Sequence, residues 1–96
     1  MKFNDIFTFL RENKLFAEAR ARVGELLKSK KNELKAYAEE YLKEKSGIVK
    51  ENAINFIMTH IELKFPYKLF KGAIRKALSK NFDRLIEFIL IKIQEV

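Results

Sequence analysis

"LFAEARARVGELLKSKKNELKAYAEEYLKEK", residues 15 to 45, decides the fold. Phe16, Ala19, Val23, Leu27, Leu34, Ala38 and Tyr41 recur at steps of three or four residues, with one double step across the middle. That is the stripe of an amphipathic helix, since a strand would alternate every second residue. The middle of the stretch, KSKKNE at 28 to 33, carries no apolar side chain. Either one helix of about thirty residues crosses a solvated midsection, or Lys30 to Asn32 turns the chain between two helices. The absence of Gly and Pro at the midsection favours one long helix over about 15 to 45. Gly24 inside it costs about 1 kcal/mol relative to Ala and marks a candidate close helix crossing.

On the amino-terminal side, MKFNDIFTFLRENK predicts a short helix starting after Asn4 or Asp5, burying Ile6, Phe9 and Leu10, and ending near Asn13. Its apolar run is too short for a signal peptide or a bilayer span, so a soluble, cytoplasmic chain is expected. On the other side, SGIV at 46 to 49 is a boundary, with Gly47 available for the left-handed conformation that closes a helix. A helix over about 49 to 64 follows, with Ile54, Ile57, Met58, Ile61 and Phe65 on its core face. Phe65-Pro66 should end it, because the residue before proline disfavours helical geometry, and Pro66 can open the next helix, to about Lys80. After a break at Asn81, the segment from Asp83 to Glu95 shows Leu85, Ile86, Ile89, Ile93 and Val96 on one face.

Two of these helices are apolar on more than one side. Phe56 and Leu63 lie opposite the main stripe of 49 to 64, and Phe88 and Ile91 lie off the stripe of the last segment. A second buried surface follows, most simply a homodimer with Phe56, Leu63, Phe88 and Ile91 at its interface. With only three Gly and one Pro in 96 residues there is almost no turn chemistry for strands. The expectation is an all-α chain: a single helical domain over 1–96, a small bundle of four to five helices. At 48% apolar it has enough hydrophobic surface to fold, and without cysteine it must do so by packing or association.

Charge is distributed unevenly. Of the net +7, residues 64 to 84 supply seven cations and one acid, and residues 63 to 82 contain no acid at all. Around a helix at 100° per residue, Lys68, Lys71, Arg75, Lys76, Ser79 and Lys80 fall on one half, with Tyr67, Phe70, Ala73, Ile74, Ala77 and Leu78 on the other. A cationic half repels itself unless a counter-charge comes from elsewhere. Glutamates of neighbouring helices, solvent and salt, nucleic-acid phosphate, an acidic membrane surface or an acidic protein could each supply it.

The nucleic-acid reading places Lys64, Lys68, Lys71, Arg75, Lys76, Lys80 and Arg84 on phosphates. Lys dominates, and an ammonium is a point charge suited to phosphate, whereas base reading prefers planar, two-bond contacts from Arg, Asn or Gln. Weakly sequence-selective binding is therefore expected. A helix-turn-helix pairing of 50 to 63 with 67 to 80 needs the Phe65-Pro66 joint to be tight. The rival is a helical assembly or adaptor module whose basic face docks an acidic protein.

Catalysis has little support. His60 is the single histidine, falls beside the core face and reads as structural. Glu39 and Glu40 point about 100° apart on a helix and cannot act as a paired acid and base. No Ser–His pairing signal or phosphate loop accompanies them, and distant carboxylates such as Glu51 or Glu62 do not complete a metal-ligand spacing with His60. A non-enzymatic protein without metal or cofactor is expected.

Overall fold

The computed structural model describes residues 11–95, so the short helix expected near the amino terminus and Val96 lie outside the described residues. Within them the chain is all-α, as the periodicity predicts: α1 (Glu12–Glu44), α2 (Gly47–His60), a 3-10 turn (Tyr67–Phe70), α3 (Lys71–Lys80) and α4 (Phe82–Glu95). None of these helices is long and apolar enough to cross a membrane.

The long helix spans Glu12–Glu44 as two helical arms joined across a kink at Lys30, where the backbone leaves helical geometry at φ −125° and ψ 33°. A straight helix would hold the Cα atoms of Glu12 and Tyr41 about 43 Å apart. Yet Glu12 bonds Lys80 at 3.4 Å, and Tyr41 meets Phe82, two residues further on, edge to face with ring centroids 4.7 Å apart. Fully extended side chains cannot bridge that difference, so the two arms of α1 fold sharply toward one another. The bend lies within the apolar gap at 28 to 33, where no buried side chain holds the axis straight. Ser29 adds a local cause, its hydroxyl donating to the Leu26 carbonyl at 3.3 Å, a side-chain bond that competes with the helical ladder.

The same corner recurs. Phe70, between the 3-10 turn and α3, sits at φ −117° and ψ 34°, and Asn81, between α3 and α4, at φ −112° and ψ 27°. At Asn81 the side-chain amide donates to the Ala77 carbonyl at 2.9 Å, so the corner satisfies a helix-end carbonyl while turning the chain.

The α1–α2 boundary falls where SGIV predicts, with different residues in the two roles. Lys45, not Gly47, takes the left-handed conformation at φ 51°, and its N–H bonds the Tyr41 carbonyl at 2.7 Å. The Ser46 hydroxyl accepts from the amides of Ile48 and Val49 at 3.1 and 3.5 Å, which fixes the helix start at Gly47.

One core joins the four described helices. Leu15, Val23, Leu27 and Leu34 of α1 meet Ile54 and Ile57 of α2, Ile74 and Leu78 of α3, and Phe82, Leu85, Ile86 and Ile89 of α4, each at most 2% exposed. Each such side chain contributes about 1.5–3 kcal/mol on burial. α4 packs on both arms of α1. Phe82 reaches Tyr41, whose hydroxyl donates to Asp83 at 3.1 Å, while Phe88 lies over Gly24, where an added Cβ would meet the ring at 3.4 Å. Gly24 is thus the close crossing that its place in the helix suggests.

Candidate nucleic-acid interface

α2 ends four residues short of the Lys64 expected from the proline, so the whole basic stretch lies beyond it. α2 stops at His60, and Ile61 is extended at φ −72° and ψ 146°. In that last turn the Thr59 hydroxyl donates to the Asn55 carbonyl at 2.8 Å and His60 Nδ1 to the Phe56 carbonyl at 2.9 Å. His60 also stacks on Phe56 with centroids 4.2 Å apart, so the geometry shows it in a structural contact. The α2 stripe consequently ends with Ile57 and Met58, and Phe65, assigned to that stripe by spacing, is instead 65% exposed. Residues 61 to 70 separate α2 from α3. That is too long a joint for a helix-turn-helix pair, whose turn is about three or four residues.

The connection carries its own order. Phe65-Pro66 is a cis peptide, and a 3-10 turn follows. Residues three apart share a face of a 3-10 turn. Tyr67 and Phe70 share the inner one, half-buried against the core, as their side of the helical wheel predicts. Burial raises the Tyr67 hydroxyl above its ordinary value, with the Glu18 carboxylate adding to the rise and Arg22 opposing it. Lys68 and Leu69 are left on the outside, and Leu69 is 64% exposed.

α3 sets Ile74, Ala77 and Leu78 into the core and turns Lys71, Gly72, Lys76 and Lys80 outward. Two of its cations are already met. Arg75, half-buried at the α2 edge, donates to the Glu51 carboxylate and the Asn55 side-chain oxygen. On the other flank Lys80 reaches Glu12 at 3.4 Å, across a cleft between α1 and α3 that Lys76 also lines. Lys64, Lys68, Lys71, Lys76 and Arg84 are exposed and have no ion-pair partner among the described residues. Neighbouring helices therefore neutralise part of the basic face and leave most of it open.

Sequence reasoning did not identify Glu12, Glu51 and Asn55 as internal counter-groups. Glu51 and Arg75 are 24 residues apart and meet only through the crossing of α2 and α3, which no local pattern encodes. Phe65 is likewise an exposed apolar group that spacing assigns to the core, whereas Leu69 strays from the apolar half of the wheel and is exposed.

The four residues expected at a dimer interface have unlike surroundings. Phe56 lies 5.3 Å from the Tyr37 ring, Phe88 covers Gly24, and both, with Leu63, pack against the chain's own core. Ile91 is 59% exposed. Among the described residues, no group of three or more acidic, histidine or cysteine side chains is placed to hold a metal ion. No family model matches the chain, and neither a curated protein nor a solved structure does.

Proposed function

We propose that this chain is a small, cytoplasmic, non-enzymatic protein that binds nucleic acid through the phosphate backbone, with weak sequence selectivity. The interface is the basic face from Lys64 to Arg84. What supports this is the charge imbalance: five of its seven cations have no ion-pair partner among the described residues, even with Glu12 and Glu51 drawn in from other helices. Regularly spaced phosphates supply the missing counter-charge and release condensed ions on binding. Four of those five cations are lysines, point charges suited to phosphate and not to paired base edges. An adaptor role toward an acidic protein uses the same charges and is the alternative.

Titration of a labelled duplex by fluorescence anisotropy across a salt series tests the reading. Five phosphate contacts predict a slope of log K against log salt of about −4 to −5. Lys71→Glu with Lys76→Glu should weaken binding at least about tenfold at an unchanged melting temperature, since both side chains are exposed. Undetectable binding at moderate salt, or a double variant that binds like the wild type, removes the proposal.

The homodimer is proposed on narrower ground, because Ile91 is the one exposed residue of the four named for it. Sedimentation equilibrium of the wild type and Ile91→Lys decides it. A dimer lost on substitution supports it, and a monomer at every concentration ends it.

A further inference from the structure

Phe65 and Leu69 are about two-thirds exposed, large and apolar, and they sit among Lys64, Lys68 and Lys71, none of which has an ion-pair partner among the described residues. Apolar surface that stays uncovered beside uncompensated charge is suited to a ligand with both a π-face and an anionic backbone. We propose that this knuckle is a stacking platform that makes the interface prefer single-stranded nucleic acid over duplex; the inference rests on the function proposed above and names its substrate class.

The geometry supplies what stacking needs. Tyr67 and Phe70 anchor the turn to the core from beneath, so Phe65 and Leu69 are held outward by a fixed support and not by a loose loop. Lys64 adjoins Phe65 and Lys68 lies three residues on, both exposed, so a base laid on Phe65 would have cations beside its phosphates. In a duplex the base faces are occupied by their neighbours, so phosphate contacts are shared by both forms and the aromatic contact is reserved for the single strand. Stacking tolerates any base, which agrees with weak sequence selectivity. An anionic lipid surface also combines charge with apolar depth, but a single Phe and a single Leu on a short turn bury little area there.

The test measures one short oligonucleotide as a single strand and as its duplex, against wild type, Phe65→Ala and Phe65→Trp. The expected result is a single-strand preference of about tenfold in the wild type, lost in Phe65→Ala while duplex affinity is unchanged. Because the chain has no native tryptophan, the Phe65→Trp variant carries one reporter, and its emission should be quenched by the single strand and not by the duplex. Equal affinity for the two forms, unaltered by Phe65→Ala, overturns the platform and leaves the basic-face reading standing. Loss of both forms in Phe65→Ala at an intact melting temperature overturns it also. Absence of binding to either form by the wild type removes both proposals. Vesicles of phosphatidylserine form the remaining arm: binding that Phe65→Ala abolishes, with Trp emission blue-shifted by vesicles and unmoved by oligonucleotide, assigns the knuckle to lipid and overturns the platform.

Discussion

The turn from Lys64 to Phe70 and the helix α3 that follows it are neighbours with similar composition, lysine interleaved with large apolar residues, and they resolve it in opposite ways. In α3 the apolar residues Ile74, Ala77 and Leu78 are completely buried, and Glu51 and Glu12 hold two of the cations. In the turn, Phe65 and Leu69 are open to solvent, and Lys64 and Lys68 have no ion-pair partner among the described residues. The cause is periodicity. Ten residues of α-helix can sort apolar from charged groups onto two faces, whereas a single 3-10 turn has room for only one anchored pair, Tyr67 and Phe70. Density of positive charge thus says little by itself, and the informative quantity is charge left over once neighbouring helices have answered.

The sharpest break in this comparison is at matched leucines. Leu78→Ala should cost about 2–5 kcal/mol through the cavity it opens, and Leu69→Ala should stay within about 0.5 kcal/mol, both read from urea denaturation. If the two cost the same, the turn is covered in solution and the contrast fails.

A second test frees the answered cations. Glu12→Gln with Glu51→Gln should raise nucleic-acid affinity several-fold by returning Arg75 and Lys80 to the open face, while exposed ion pairs of this kind cost at most about 1 kcal/mol each when lost. Unchanged affinity would mean that the ligand does not approach α3.

Next in size is Gly72→Ala. Nothing lies within 4 Å of the Cβ it would add, so the helical gain of up to about 1 kcal/mol should appear as added stability with binding unaltered.

The smallest effect concerns the anchor. Because burial holds the Tyr67 hydroxyl above its ordinary value, its contribution to stability is complete below the unfolded value of 10.0 and is lost as pH rises from there through the folded value. Burial and the Asp83 carboxylate raise the Tyr41 hydroxyl too, so absorbance titration should show late-forming tyrosinates at both positions, one of them lost in Tyr67→Phe. Stability above pH 10 should fall less steeply in that variant.

Much of this architecture is legible in the residues. The stripe from Phe16 to Tyr41 predicts the long helix, SGIV the boundary after it, and Asn81 the break before the last helix, because each depends on neighbours within a turn or two. The bend at Lys30 is half legible. The gap KSKKNE shows where nothing holds the axis, but its angle is set by Phe82 and Phe88 gripping the two arms from some forty residues away or more. The site divides along the same line. Tyr67 and Phe70 face the core, as the wheel has them, whereas Phe65 falls on the α2 stripe only if that helix runs up to the proline, and it stops at His60. Arg75 and Lys80 could not be known to be occupied, since their partners arrive only through tertiary packing.

The bend carries a consequence for how the molecule comes together. Its two arms are tied across the corner by α4, whose Phe82 meets one arm and Phe88 the other, so the angle depends on a segment distant in the sequence. α2 and α3 already touch both arms, Phe56 against Tyr37 and Lys80 on Glu12, and α4 adds a single rod that spans the corner. Native shape is then a collective property, in which the fourteen-residue α4 acts as a brace between arms that its neighbours also hold.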